Sequence, residues 1–319
     1  MTRLAAVVLM FTFIVLCLSG CDKPNQEDLE SYKKNDVLKL VCQTICANTT
    51  TGLGGIFIDN DSVACAEMAQ RFTHASRFFE EGEGYVFIET RSGYNISHPA
   101  NPELQGNSTT GIIDADGKYI VQDMIDLVNY TGFGFLEYRY NNPASDEVEY
   151  KTTFVDAIEN STWYAGCGFY HVDYGNLYTQ RMMNEEVVKN AVISMAGGVR
   201  ALLDNYAQDS LQGVDLMRGF LQHIRFFDNQ SGYFYVIDYN GYNVVQPPDP
   251  SIQGTYEWDI VDSRGNYLVR GLVETAQDGG GFYSYYWEDY QSGEEKMKTA
   301  YVMPVEGYDY LIGSGVYSN

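Results

Sequence analysis

The chain has 319 residues and a formal net charge of -23 at pH 7, because 43 acidic side chains face 20 lysines and arginines. This balance argues against a nucleic-acid-binding protein, which needs lysine and arginine clustered on one face. It also means that an anionic ligand must be held by individually placed cations rather than by the overall field. The length is enough for two ordinary domains with their own cores.

The start of the chain predicts an export signal. An apolar run from Leu4 to Leu18 is too short to span a bilayer, and it ends in Ser19, Gly20 and Cys21. Small residues followed by cysteine at the end of such a run resemble the prokaryotic lipobox. There the chain is cut before the cysteine, and a lipid is attached to its sulfur. Ordinary secretory cleavage near the same point is the alternative. We expect lipidation of Cys21.

This interpretation sets the expected location of the protein. Residues 1–20 are then a lipoprotein signal peptide, and residues 21–34 are an acidic tether on the extracytoplasmic side of the cell membrane. No later segment approaches the ~20 uninterrupted apolar residues of a membrane helix. No transmitter, kinase or methyl-accepting helix follows either, so we expect a partner membrane sensor or transporter to receive the message or the ligand.

Each half of the remaining chain begins with helical apolar spacing. The predicted helices cover residues 36–47, 62–79, 185–206 and 211–227. Gly197 and Gly198 are expected to weaken or bend the third of these helices. The glycine-rich stretch at 52–55 is expected to let the chain fold back on itself.

Four cysteines remain beyond the signal, Cys42, Cys46, Cys65 and Cys167. Cys42 and Cys46 lie one helical turn apart, and either could meet Cys65 if the chain folds back. An exported protein can form disulfides, so a structural bridge among these three is one prediction and buried thiols are the other. A Cys-x3-Cys spacing without a nearby histidine is a poor metal site, and no metal is predicted.

The most informative feature is an internal repeat at a constant shift of 148 residues. The segment Gly84-Tyr85-Val86-Phe87-Ile88 lies over Gly232-Tyr233-Phe234-Tyr235-Val236, and the register continues through Pro99, Pro102 and Gly106 onto Pro247, Pro250 and Gly254. After one deletion, Gly134-Phe135, Tyr138, Tyr140 and Lys151 fall on Gly281-Phe282, Tyr285, Trp287 and Lys298. We therefore predict two copies of one unit, residues 35–179 and 180–319.

After its helices, each unit is rich in aromatic and β-branched residues with alternating polarity. Turn signals interrupt it at Ser92-Gly93, Asp116-Gly117, Asn240-Gly241 and Arg264-Gly265. Short adjacent strands after helices favour an antiparallel sheet with the helices on one side. The predicted class is α+β.

The repeated residues also carry a family resemblance. In the first unit they are Gly84-Tyr85, His98-Pro99, Gly106, Asp116-Gly117, Gly134-Phe135, Lys151, Trp163 and Gly166 to Tyr170; in the second, Gly232-Tyr233, Gln246-Pro247, Gly254, Gly265, Gly281-Phe282, Lys298 and Gly313 to Tyr317. In order and spacing both units resemble Cache domains, the PAS-like extracytoplasmic sensor modules of chemoreceptors and histidine kinases. The resemblance implies N-terminal helices, a central antiparallel sheet and a small-ligand pocket. The second unit departs from it where Gln246 replaces the usual histidine.

Lys151 and Lys298 are the first candidates for ligand binding. They occupy equivalent positions of the two units in a chain with few lysines. The resemblance implies a small organic acid or amino acid as ligand, and a buried ammonium gives charge-assisted hydrogen bonds to a carboxylate. The alternative is a pair of surface lysines.

Further candidates come from the strands and turns around the lysines. They are Tyr94, His98, Tyr138 and Tyr140 in the first unit, and Tyr242, Gln246, Tyr285 and Trp287 in the second. The strand aromatics suit a pocket wall or an ordinary core. His98 is a candidate donor to an acid ligand, and the turn tyrosines either cap the pocket or cover the core.

The sequence predicts a binding protein rather than an enzyme. It contains no Gly-x-Ser-x-Gly elbow, phosphate loop, His-Glu-x-x-His or dinucleotide fingerprint, and no cofactor is predicted. The main hypothesis is a small-molecule-binding or sensing lipoprotein. The alternative is a structural or adhesive surface protein whose pockets are filled by side chains. Exposure of both lysines would favour the alternative.

Overall fold

The computed structural model describes residues 31–57, 62–142, 144–172 and 175–318. The predicted signal peptide, Cys21 and most of the predicted tether lie outside the described residues. The helices are α1 (Lys34–Ile56), α2 (Val63–Ala75), α3 (Ile120–Thr131), α4 (Gln180–Tyr206), α5 (Ser210–Leu221) and α6 (Leu268–Gln277). The strands are β1 (Val86–Thr90), β2 (Asn95–Ser97), β3 (Phe133–Asn142), β4 (Glu147–Ala157), β5 (Trp163–Tyr170), β6 (Tyr235–Asp238), β7 (Asn243–Val245), β8 (Gly281–Asp289), β9 (Glu294–Pro304) and β10 (Tyr310–Tyr317).

The strands form two five-stranded antiparallel sheets with the same strand order. The first sheet runs β2-β1-β5-β4-β3, and the second runs β7-β6-β10-β9-β8. The predicted turn glycines Gly93, Gly117, Gly241 and Gly265 all have φ between 80° and 91°, which glycine adopts without steric cost. The repeat and the α+β class are confirmed.

Each sheet is covered by helices on both faces. In the first unit α1 packs on β4 and β5 from one face, while α3 packs on β3 and β4 from the other. The alternation of strand side chains separates the two cores: Phe154 belongs to the core under α1, and its neighbour Val155 belongs to the core under α3. In the second unit α4 and α6 take the same places.

Helices α3 and α6 were not predicted. The apolar residues of α3 recur at helical spacing as Ile120, Val121, Met124, Ile125 and Val128, all buried. The helical spacing is therefore present in the sequence. It lies between turn glycines and strands, however, and the whole segment has the composition of one continuous β region. The expectation that helices lie on one side of the sheet is wrong for this reason.

The glycine-rich stretches do not break their helices. Helix α1 continues through Gly52, where an added Cβ would lie 2.3 Å from the ring of Phe220, and α4 continues through Gly198, where it would lie 2.2 Å from the ring of Phe72. Glycine at these positions lets a neighbouring helix approach closely. Both stretches serve packing rather than a turn.

The two units share one hydrophobic core, which includes residues from α1, α2, α4 and α5. Phe72 of the first unit stacks on Phe220 of the second, with ring centroids 4.8 Å apart. The hydroxyls of Ser76 and Ser194 lie 2.5 Å apart across the same contact. Each unit therefore depends on the other to bury its helices.

The described cysteines are buried thiols, so the predicted bridge is not formed. Cys42 and Cys46 of α1 lie beside Cys167 of β5. Burial first, and then these neighbouring thiols, raise the pKa of Cys167 well above its ordinary value.

Candidate ligand-binding site

The second unit has a small cavity between its sheet and α6. Its volume is about 20 Å³, enough for about one water molecule. The lining residues are Tyr233, Tyr235, Ile237, Asn243, Gln246, Glu257, Leu268, Leu272, Tyr285, Trp287 and Lys298. Four of the predicted site residues thus meet in one place: Gln246, Tyr285, Trp287 and Lys298.

Lys298 is the charged centre of this cavity. Its side chain is fully buried, and its Nζ donates to the hydroxyl of Tyr233 at 2.7 Å. Among the described residues no carboxylate lies within 4 Å of Nζ, and the nearby Asp289 pairs instead with Lys296 at 2.7 Å. Burial lowers the pKa of Lys298 to about 7, against the opposing charge of Asp289. A cation without a counter-charge is a site that favours an anion.

Lys151 occupies the equivalent position in the first unit. It is 7% exposed, and its Nζ donates to the hydroxyl of Tyr85 at 3.2 Å and lies 4.8 Å from the ring centroid of Tyr170. Burial lowers its pKa, but the oxygens of the surrounding tyrosines Tyr85, Tyr138 and Tyr170 together raise it by more, so it lies above the ordinary value. Lys151 also has no carboxylate within 4 Å among the described residues.

The two sites differ in the space beside the lysine. Lys151 and Tyr85 form part of the wall of a crevice of about 720 Å³, which also includes residues of α1, α4 and β5. That volume lies within the usual range of ligand sites, ~300–1,000 Å³. The Lys298 cavity is far smaller, at about 20 Å³, and Tyr290 and Tyr317 lie against the Tyr233 side chain that lines it.

The repeat gives every residue of the second cavity a counterpart in the first unit. The counterparts, in the same order, are Tyr85, Phe87, Glu89, Asn95, His98, Thr109, Ile120, Met124, Tyr138, Tyr140 and Lys151. Tyr138 is buried with its hydroxyl 2.9 Å from that of Thr153, and Tyr140 is half-buried against it. The first unit therefore places an equivalent set of side chains on the same face of its sheet.

His98 and Gln246 present the same kind of polar group. Burial first, and then the charge of Lys151, lower the pKa of His98 to about 4, so the ring is neutral at pH 7. Its Nδ1 accepts from the backbone N–H of Asn101 at 3.0 Å, which leaves Nε2 protonated and able to donate. Gln246 Nε2 donates to the hydroxyl of Tyr290 at 3.4 Å and has a second N–H. The glutamine therefore keeps a donor at the histidine position.

Several lining residues were not predicted as site residues, among them Tyr85 and Tyr233 and a buried asparagine–glutamate pair in each unit. Asn95 is buried, and its Nδ2 donates to Glu89 at 3.1 Å; Asn243 is buried, and its Nδ2 donates to Glu257 at 3.2 Å. Burial raises the pKa of both glutamates. The asparagines are in register in the repeat, and that signal could have identified them.

Two predicted residues lie outside the cavity walls. Tyr94 is 53% exposed and Tyr242 is 45% exposed, and Tyr242 stacks on Tyr256 with ring centroids 5.4 Å apart. Both side chains are therefore about half exposed, and Tyr242 is not among the residues that line the cavity of the second unit.

The described part of the chain contains neither a metal-binding cluster nor a membrane-spanning helix. Within 31–57, 62–142, 144–172 and 175–318 there is no cluster of three or more histidine, cysteine or acidic side chains placed to hold a metal ion. In the same ranges no helix is both long and apolar enough to cross a membrane.

Comparison with known proteins identifies the family of both units. The model of the family described as single Cache domain 2 matches residues 180–319, and that of the family described as Cache domain matches residues 60–196. The sensor histidine kinase MctS of Rhizobium johnstonii is 33% identical over 88 residues, 28% of this chain and 19% of that protein. The methyl-accepting chemotaxis protein McpP of Pseudomonas putida is 26% identical over 125 residues, 39% of this chain and 23% of that protein.

The chain spans about a fifth of the length of these curated relatives. Among solved structures, a Cache chemosensory domain described for its recognition of carboxylic acids is 27% identical, with 43% of this chain and 92% of that chain covered and a TM-score of 0.36. Cache domains are extracytoplasmic ligand-binding domains of sensory proteins. The chain belongs to the Cache family and carries two Cache domains in tandem.

Proposed function

We propose that the protein binds a small carboxylate or amino acid through its Cache domains and acts as a sensing or binding lipoprotein. One observation carries this proposal. In each unit a buried lysine has a tyrosine hydroxyl as its hydrogen-bond partner and no carboxylate within 4 Å among the described residues. Burying an ammonium without a counter-charge is costly. A ligand carboxylate offsets that cost through charge-assisted hydrogen bonds.

The surrounding groups supply the rest of a carboxylate site. The hydroxyls of Tyr85 and Tyr233 accept hydrogen bonds from the two lysines, and that of Tyr85 can also donate to a ligand oxygen. An N–H donor stands at His98 or Gln246. The strand aromatics form an apolar wall for the ligand body. In this arrangement the lysine ammonium pairs with the ligand carboxylate, and the aromatic rings restrict the site to a small ligand.

The space beside the lysine is larger in the first unit. Lys151 and Tyr85 border a crevice of about 720 Å³, which does not include Asn95, His98, Tyr138 or Tyr140, whereas the cavity of the second unit measures about 20 Å³. Binding in the second unit therefore requires side chains to move apart. The small size of this cavity favours the second candidate function, a structural or adhesive role in which the pocket of the second unit is filled by its own side chains.

The lipid anchor and the output are also part of the proposal. The lipobox-like residues at Ser19 to Cys21 support attachment to the outer face of the cell membrane. A bound form held there is placed to contact a membrane sensor or to deliver its ligand to a transporter. Metabolic labelling with a lipid precursor, with Cys21→Ser as the control, tests the anchor.

A thermal-shift screen of the chain from Asp22 against small carboxylates and amino acids tests ligand binding. A ligand at a hundred times its Kd adds about 2.7 kcal/mol to the unit that binds it, which raises Tm by several degrees. We expect Lys151→Met or Lys298→Met to abolish the shift, because methionine keeps the chain length and removes the charge. Lys118→Met, at an exposed lysine, is the matched control. No shift with folded parent protein would favour the structural role.

A further inference from the structure

Each unit buries one asparagine whose side-chain oxygen lacks a partner. The Oδ1 atoms of Asn95 and Asn243 are both buried without a hydrogen bond among the described residues. The two residues are 1% and 3% exposed and occupy the same position in the repeat. A buried carbonyl left unpaired costs stability, so its repetition in both units requires a reason.

The orientation of each amide is fixed by a carboxylate. Asn95 donates through Nδ2 to Glu89 at 3.1 Å, and Asn243 donates through Nδ2 to Glu257 at 3.2 Å. An ionised carboxylate only accepts hydrogen bonds, so it holds the NH2 side of the amide towards itself. Glu89 is held in turn by the hydroxyl of Tyr164 at 2.7 Å. The amide oxygen is thereby turned away from the glutamate.

The two glutamates come from different positions of the repeat. Glu89 lies in β1, where the second unit has Ile237, and Glu257 lies in a loop, where the first unit has Thr109. Inheritance of one ancestral pair does not account for this, because the carboxylate has changed position while the asparagine orientation has stayed. The orientation itself is the shared property.

In the second unit the asparagine lines the same cavity as the lysine. Asn243, Glu257 and Lys298 are all among its lining residues, and Asn95 and Lys151 hold the equivalent positions of the repeat in the first unit. One wall of the cavity thus offers an ammonium, and another offers an unpaired carbonyl oxygen. A ligand complementary to both carries a carboxylate for the first and an O–H or N–H group for the second.

We propose that Asn95 and Asn243 accept a hydrogen bond from a hydroxyl or ammonium group on the carbon next to the ligand carboxylate. The ligand is then a small 2-hydroxy or 2-amino acid rather than a plain carboxylic acid. This inference rests on the proposed function, in which the lysine takes the carboxylate.

Four three-carbon acids of similar size test the inference. They are propionate, 2-oxopropionate, 2-hydroxypropionate and 2-aminopropionate, which differ only at the second carbon. We expect calorimetry on the chain from Asp22 to show that the hydroxy or the amino acid binds about tenfold to a hundredfold more tightly than the first two. Asn95→Leu or Asn243→Leu should remove this preference in the unit that binds.

Glutamate variants separate the two donor groups. Glu89→Gln and Glu257→Gln keep an acceptor for the asparagine and remove a negative charge beside the ligand. If these variants weaken the binding of the amino acid only, the donor group of the ligand is an ammonium. If they leave the binding of the hydroxy acid unchanged, the donor group is a hydroxyl. Both results support the acceptor subsite.

The failures of the two proposals are distinguishable. If the four acids bind equally, or if propionate or the oxo acid binds as tightly as the preferred acid, the inference is overturned and the proposed function stands. Survival of the preference in both asparagine variants has the same meaning. If the folded parent binds none of the four acids, the proposed function fails and the inference fails with it. The order of affinities of the four acids for the parent chain tests the inference even where a leucine variant does not fold.

Discussion

Lys298 shows how a single buried charge ties stability to function in this protein. Its hydrogen bond to Tyr233 satisfies one of its three donors, and burial lowers its pKa from 10.5 to about 7. Sequence comparison of the two units located this residue, because a lysine kept in register is unusual in an acidic chain. Asn243 escaped notice, since an asparagine after a turn tyrosine has an ordinary explanation as a turn residue.

The pKa of Lys298 predicts a stability change with pH. Between about pH 7 and 10.5 the unfolded chain holds a proton on this lysine that the folded chain does not, so stability rises with pH over that window. The cost of burying the lysine is largest below pH 7. We therefore expect Lys298→Met to be more stable than the parent at pH 7, with a gap that shrinks by about 2 kcal/mol by pH 9.

Urea unfolding of both proteins at pH 6, 7, 8 and 9 measures the gap. Lys118→Met, at an exposed lysine, should show no such trend. A difference in unfolding free energy between parent and Lys298→Met that stays constant from pH 6 to 9 would mean that Lys298 keeps its proton over this range.

The same lysine predicts how carboxylate binding in the second unit responds to pH. A bound carboxylate holds the proton on Lys298, so binding above pH 7 takes up a proton. We expect the affinity to fall about tenfold per pH unit above 7. His98, with a pKa of about 4, adds no pH dependence between pH 5 and 8 in the first unit.

Calorimetry at pH 8 in two buffers of different ionisation heat measures the proton uptake directly. Uptake of about one proton per ligand is expected in the second unit. Zero uptake with tight binding would show that the ligand does not pair with Lys298.

At the scale of the elements, glycine decides how closely the helices pack. From the sequence, the glycines of α4 are expected to weaken or bend their helix and those of α1 to let the chain fold back, because glycine has a low intrinsic helix propensity. In the structure Gly52 and Gly198 lie under the rings of Phe220 and Phe72. Which of the two roles a glycine has depends on a partner far away in the chain, and no local pattern contains that information.

Two glycines of α1 should respond to the same substitution with opposite signs. Gly52→Ala would place a Cβ 2.3 Å from the ring of Phe220, and that fully buried ring is stacked on Phe72 and cannot move aside. We expect a loss of about 1–3 kcal/mol. Gly54→Ala meets no atom closer than 3.8 Å and should gain up to about 1 kcal/mol from helix propensity.

Thermal unfolding of the two variants beside the parent checks the pair. If both substitutions stabilise the protein, the close approach of α1 and α5 is wrong.

At the scale of the whole molecule, the two Cache units are joined by one core. The core runs through α1, α2, α4 and α5, and the stacked pair Phe72 and Phe220 lies where the units meet. Two separate domains would each unfold on their own. A common core instead predicts a single cooperative transition.

Tryptophans in both units report on this transition. Trp163 belongs to the first unit, and Trp258 and Trp287 belong to the second. The Trp163→Phe variant reports on the second unit, and the double variant that lacks Trp258 and Trp287 reports on the first. We expect both signals to give the same urea midpoint, both with Phe72 and with Phe72→Ala. Phe72→Ala should lower both midpoints together, by about 3–5 kcal/mol in unfolding free energy. A shift confined to the Trp163 signal would show that the units unfold independently.

The sequence by itself determined the duplicated α+β architecture, the Cache family and the equivalent position of one lysine in each unit. It did so because a repeat preserves strand alternation, turn glycines and site positions in one register. Only the tertiary structure decided that both lysines are buried, that α3 and α6 cover the pocket faces, that the glycines admit neighbouring helices, that Cys42 and Cys46 lie by Cys167, and that Asn95 and Asn243 each leave an oxygen unpaired. These features depend on contacts between residues far apart in the chain, and local spacing does not specify such contacts.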